Sequence, residues 1–185
     1  MGRVVLLMIP VLFFVAVIAT LRACHLSAER ATTQQSAPAT LVALDDNSVL
    51  LATDGSITQE LVDWMKSPGP SRRRFEVGGR LFAPGAATPL ASASNRVVRL
   101  VEMLHAYPAV TLRVMGETQP SGMPERDQRL SDQRAAASLD LLVKFGADRK
   151  RLSAAGEGSS HPRYAPDSPQ AALNDRIVLE LDKPR

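Results

Sequence analysis

Val110-Thr111-Leu112-Arg113-Val114-Met115-Gly116-Glu117-Thr118-Gln119, with Leu130-Ser131-Asp132-Gln133-Arg134-Ala135-Ala136-Ala137-Ser138-Leu139-Asp140-Leu141-Leu142-Val143-Lys144-Phe145-Gly146 shortly after it, decides the fold. In the first run Val110, Leu112 and Val114 alternate with Thr111, Arg113 and Met115, the period-two pattern of a half-buried strand. In the second, Ala135, Leu139 and Leu142 recur at helical spacing. Ser131 is the expected N-cap, and Gly146 is suited to the left-handed position that ends a helix.

The same reading extends outward. Pro89 to His105 predicts an amphipathic helix with Leu90, Ala93, Val97, Leu100, Val101 and Leu104 on one face. Phe75 to Phe82 is a strand candidate. Ile177, Leu179 and Leu181 alternate with Val178 and Glu180 in a last strand. The order is strand, helix, strand, helix, strand and a final strand. It predicts an α+β sandwich, βαβαβ(β), with two helices on one face of a mixed sheet. Before it, residues 38–67 predict a small unit. Leu41 to Leu44 and Ser48 to Leu51 flank Asp45-Asp46-Asn47 as a hairpin. Ser56 and Gln59 form a capping box for a helix carrying Leu61, Trp64 and Met65. Trp64 is read as a packing residue. So short a unit buries little alone and is expected to pack on residues 75–182. Ser67-Pro68-Gly69-Pro70-Ser71 begins a linker, and Arg72-Arg73-Arg74 is read as its solvated continuation.

Five short stretches carry a resemblance. Phe82-Ala83-Pro84-Gly85-Ala86-Ala87 resembles the "F-x-x-G-S-A" opening of OmpA-like domains. Gly116-Glu117-Thr118-Gln119 stands where that family has "G-H-T-D", and Leu130-Ser131-Asp132-Gln133-Arg134-Ala135 matches "L-S-x-x-R-A". Gly146, Arg151-Leu152 and Gly156-Glu157-Gly158-Ser159-Ser160-His161-Pro162 are similar to "G…R-I…G-x-G…P". Asn174-Asp175-Arg176-Ile177 resembles "N-R-R-V". The stretches lie in order and at family spacing across residues 75–182.

The resemblance implies a module that binds peptidoglycan non-covalently, through the diaminopimelate residue of the stem peptide. In the family, the Asp of "G-H-T-D" pairs with the ligand ammonium and the Arg of "L-S-x-x-R-A" with its carboxylate. Such charge-assisted bonds suit a zwitterion. The implied ligand-binding residues are Arg134 and Gln119. Arg134 is expected in the first turn of its helix, where the dipole also favours an anion. Gln119 is neutral where the family has a carboxylate, a loss of roughly 1–2 kcal/mol. Asp127, where the family often has Asn, is one replacement for that charge. Glu117 is another, expected on the same strand face as Gln119. The alternative is a degenerate OmpA-like module that mediates protein contacts in an envelope complex without binding peptidoglycan.

Val4 to Leu21 is an uncharged, nearly all apolar run of 18 residues. At ~1.5 Å per residue it spans about 27 Å, enough for a bilayer core. Three readings stand for residues 1–24: an uncleaved signal anchor, a lipoprotein signal in which Cys24 of Leu21-Arg22-Ala23-Cys24 is lipidated, or a cleaved secretory peptide. Each sends the rest of the chain across the inner membrane, so a periplasmic domain is expected. Residues 25–37 are a polar tether.

Composition narrows the function further. The net charge of +3 is mild, and there is no basic stripe interleaved with aromatics, so nucleic acid is not an expected partner. A single cysteine allows no intrachain disulfide and no zinc site built on paired cysteines. His25, His105 and His161 are scattered and away from any obvious nucleophile. No phosphate-binding glycine loop is present. The expectation is therefore a binding module and not an enzyme, with no metal and no cofactor.

Overall fold

In a computed structural model of the chain, residues 39–184 are described apart from 45, 47, 54, 55, 78 and 79 and the side chains of 39, 40 and 51–53. The apolar run, Cys24 and the polar tether lie outside the described residues. Among the described residues no helix is long and apolar enough to cross a membrane.

Strands β1 (Ala39–Ala43) and β2 (Val49–Thr53) form the expected antiparallel hairpin, with Val42 opposite Leu50. Its turn is held by Asp46, whose carboxylate accepts from the Ser48 N–H and hydroxyl. Helix α1 (Ile57–Lys66) starts at Ser56, which accepts the Gln59 N–H. Val62 of α1 packs with Val42, Leu44 and Leu50 of the hairpin, and Ala106 closes that cluster.

The main sheet contains β3 (Arg72–Val77), β4 (Thr111–Glu117), β5 (Leu152–Gly156) and β6 (Arg176–Asp182), in the order β3-β6-β4-β5. β6 runs antiparallel to both neighbours, whereas β4 and β5 are parallel. Helices α2 (Ala91–Ala106) and α3 (Pro124–Lys144) supply the connections. Phe75, Leu112, Val114, Ile177, Leu179 and Leu181 meet Val101, Leu104, Leu139 and Leu142 in one core. This is the α+β arrangement expected.

Leu61, Trp64 and Met65 of α1 belong to that core. Trp64 stands edge-on to Phe75, with centroids 5.6 Å apart, and its indole N–H donates to the Pro70 carbonyl at 2.9 Å. Lys183 lies 4.8 Å from the Trp64 ring and donates to the Trp64 and Ser67 carbonyls, satisfying groups that the end of α1 leaves open. Ser67 to Pro70 is therefore held by Trp64 and Lys183 and is not a free linker.

Two local expectations change. Arg72, Arg73 and Arg74 are strand, because Asp182 and Glu180 of β6 give Arg72 and Arg74 cross-strand partners at 2.8 and 2.9 Å. Phe82 is not part of β3, which ends at Val77; it makes a single bridge with Pro89. Met115 and Val178, paired across β4 and β6, are both buried, so the outward face of the sheet is not simply polar.

Candidate functional site

Helix α3 places the basic half of the site. It begins at Pro124, two turns before the cap expected at Ser131. Proline is suited to a first helical position, and Glu125 and Asp127 favour the positive end of the dipole. Asp127, Ser131, Arg134, Ala135, Leu139 and Leu142 form its buried stripe. Ser131 is not a cap. Its hydroxyl donates to the Gln128 carbonyl at 2.8 Å and accepts the Gly158 N–H at 2.9 Å. Asp132 accepts the Gly156 N–H at 2.7 Å, so the middle of α3 is tied to the end of β5. Close contact demands glycine on the sheet. A Cβ at Gly116 would lie 2.2 Å from the Ser131 carbonyl oxygen, and one at Gly156 would lie 2.2 Å from the Ser131 hydroxyl.

Arg134 consequently lies in the third turn, facing inward, and the helix-dipole argument for it does not hold. Its Nε donates to the Ala86 carbonyl at 3.0 Å, and its guanidinium lies over the Phe82 ring at 5.6 Å. The two terminal nitrogens meet Asp175, Nη1 at 3.0 Å from Oδ1 and Nη2 at 3.2 Å from Oδ2. Gln119 joins the same group by its backbone N–H, 2.8 Å from Asp175 Oδ1. All three residues line one cleft of about 730 Å³ at the end of the sheet where β6 begins. Phe82, Pro84, Arg80, Arg163 and Tyr164 complete much of its wall.

Glu117 and Asp127 are not among the lining residues. β4 ends at Glu117, so Gln119 does not continue the strand alternation and the two side chains do not share a face. Glu117 instead ion-pairs with its cross-strand partner Arg176. Burial pushes the Glu117 carboxyl up; Arg176 opposes this and Glu157 reinforces it, with a raised value as the result. Asp127 accepts from the Ser121 N–H at 3.0 Å and from the hydroxyls of Ser121 and Ser159. Burial works to raise its carboxyl, but these bonds and Arg126 outweigh it and hold it below the usual range. Asp127 thus fastens the loop after β4.

The family model of the OmpA family matches residues 81–176, more than half of the chain. The chain belongs to the OmpA family. Its OmpA-like region is 28% identical over 101 residues to the probable lipoprotein YiaD of Escherichia coli, covering 54% of this chain and 46% of that one. Outer membrane porin F of Pseudomonas aeruginosa is 32% identical over 90 residues, 46% of this chain and 25% of that one. The chain thus spans less than half the length of these curated relatives. Among solved structures, the periplasmic domain of Helicobacter pylori MotB superposes with a TM-score of 0.55 at 16% identity, covering 80% of this chain and 89% of that one. A MotB-like protein of Desulfovibrio vulgaris gives 0.54 at 22%, covering 62% and 77%. The two structures show the fold.

Within this OmpA-like domain, other motif residues have structural work. Arg151 donates to the carbonyls of Leu104, Tyr107, Pro108 and Val110, closing the end of α2 and its exit turn. Asn174 is buried. Its side chain accepts the N–H groups of Arg163 and Tyr164 and donates to the Tyr164 carbonyl, fixing the loop that walls the cleft. Asp175 is the site residue that sequence reasoning missed. The signal available for it was an acid where the family pattern has arginine.

Proposed function

We propose that this chain is a cell-envelope protein whose OmpA-like domain associates non-covalently with peptidoglycan, receiving the diaminopimelate of a stem peptide in the cleft of Gln119, Arg134 and Asp175. The observation that carries it is the convergence of an arginine, a carboxylate and a backbone N–H on one open cleft at the position the family motifs mark. That setting suits an amino-acid zwitterion, because Arg134 holds a partly exposed Asp175 carboxylate in the cleft and Arg80 lines the same wall. Residues 1–24 then provide the membrane tether, either Val4 to Leu21 as a signal anchor or, once that run is cleaved, lipidated Cys24, with the domain in the periplasm. Membership in a family of binding modules, and a site without a nucleophile and base in contact, favour association over catalysis.

One observation favours a second reading. Asp175 already occupies both terminal nitrogens of Arg134. A module that kept the fold for protein contacts in an envelope complex would look the same. Sedimentation of the full chain, in detergent, with purified sacculi separates the two. The first reading expects pelleting that a soluble meso-diaminopimelate tripeptide competes away. Absence from the pellet, or pelleting the tripeptide does not disturb, favours the second. A reporter active only in the periplasm, fused after Arg185, is expected to be active. Activity of a cytoplasmic reporter alone would remove the envelope reading altogether.

A further inference from the structure

Two substitutions relative to the family motifs meet in space. Gln119 lacks the acid of "G-H-T-D", and Asp175 adds an acid in "N-R-R-V". The residues are far apart in sequence, yet the Gln119 N–H donates to the Asp175 carboxylate at 2.8 Å. The start of β6 pairs with the end of β4, Arg176 opposite Glu117, and just past these strand ends Asp175 comes beside the Thr118–Gln119 segment. A negative charge therefore lies against residue 119 although residue 119 does not carry it.

Exposure differs sharply within the Arg134–Asp175 pair. The Arg134 side chain is 3% exposed and that of Asp175 is 33% exposed. Arg134 is engaged at Nε by Ala86, at both terminal nitrogens by Asp175, and on its face by Phe82. A ligand entering the cleft meets the carboxylate first and reaches the guanidinium only by displacing it. A carboxylate offers about four lone-pair sites. Gln119 and the two Arg134 nitrogens use three, and the exposed side of the group is left for one more donor. Arg80 lines the same cleft and supplies positive charge for the other end of a zwitterion, whereas Arg163 on that wall is paired with Glu76 at 2.6 Å.

We infer that Asp175 receives the ligand ammonium in this cleft and that Arg134 is a positioning residue that holds Asp175 in place, instead of binding a ligand carboxylate itself. The inference rests on the peptidoglycan reading above and specifies its chemistry: the cleft selects a free primary amine. Gln119 contributes its backbone N–H, which holds the Asp175 carboxylate from the other side.

The test is calorimetric titration of the full chain, in detergent, with the meso-diaminopimelate tripeptide and with the same tripeptide acetylated at its side-chain amine. Acetylation is expected to weaken binding to the parent by about tenfold or more, the loss of one charge-assisted bond. Asp175→Asn is expected to bind the free-amine peptide about tenfold more weakly and to be indifferent to acetylation. Should Asp175→Asn not fold, the side-chain carboxyl carbon of Asp175 in the parent gives the same answer. Its NMR shift should move with the free-amine peptide and stay still with the acetylated one. If the parent binds both peptides equally, or Asp175→Asn binds as well as the parent or better, the assignment to Asp175 is overturned while peptidoglycan binding stands. If the parent binds neither peptide, both fall.

Discussion

Both oxygens of Asp175 face Arg134, at 3.0 Å from Nη1 and 3.2 Å from Nη2, and Arg134 is the buried partner of the two. Removing one member of a fully buried pair typically costs ~3–5 kcal/mol, because the other charge is left uncompensated. Asp175 keeps a third of its side chain in water, which softens the cost. Arg134→Ala is expected to lower stability by about 2–3 kcal/mol, read as a fall in the urea midpoint at unchanged slope. Arg134→Lys should recover little, since an ammonium cannot make the two-nitrogen contact. A loss under about 0.5 kcal/mol would match a surface arginine and contradict the burial described.

Gly116 and Gly156 let α3 lie against β4 and β5. A methyl group at either would come within 2.2 Å of Ser131 atoms, backbone in one case and hydroxyl in the other. Overpacking of this kind costs ~1–3 kcal/mol, and the rigid backbone contact puts Gly116→Ala at the upper end, about 3 kcal/mol. Thermal unfolding of Gly116→Ala beside Gly85→Ala separates the close-approach effect from backbone strain. Gly85 has open space around it but a φ of +65°.

Asp127 gives a pH dependence of definite sign. Its folded-state carboxyl is held below the unfolded value of about 3.9. Its contribution is therefore complete above that value and is lost as pH falls through the folded value. The stability gap between the parent and Asp127→Asn should be full at pH 7 and close below about pH 4. Glu117 runs the other way: its raised carboxyl is at its best below about pH 4.3 and loses ground as pH rises through the folded value. A parent-to-D127N gap that widens on acidification would contradict the bonds assigned to Asp127.

Trp64 joins the amino-terminal hairpin-and-helix region to the sheet through Phe75, Pro70 and Lys183. Trp64→Ala is expected to cost ~3–5 kcal/mol and to destabilise the domain as a whole. Differential scanning calorimetry should show one transition for parent and variant. Two transitions, with only the lower one moved, would mean that residues 38–67 fold apart from residues 75–182.

The alternating strands, the inward face of α2 and the Ser56 cap of α1 are plain in the sequence because each follows from residue periodicity or a local bond, although Gln59 turns to Asp63 instead of closing the capping box. The start of α3 was not. Pro124 to Arg129 offers no apolar repeat, and the buried Ser131 hydroxyl imitates a cap in sequence while serving Gly158 in space. Gln119 and Arg134 were found by motif spacing, and the fold brings both to one cleft. Asp175 was hidden because its meaning depends on the β4–β6 register, which no local pattern in either strand reveals. Glu117 departs from its expected place for a similar reason: strand alternation would set it beside Gln119 only if β4 ran on, and β4 ends two residues sooner.

If peptidoglycan is held in the cleft beside β6, crowding that cleft releases the protein from it. Ala172 lies on the cleft wall and is exposed, so Ala172→Trp should crowd the cleft without disturbing the core. Co-sedimentation of the full chain with purified sacculi, parent beside Ala172→Trp, tests the claim most directly. The parent is expected to pellet with the sacculi, and the variant, with an unchanged melting temperature, to stay in solution. Equal pelleting of both, or a parent that does not pellet, would contradict it.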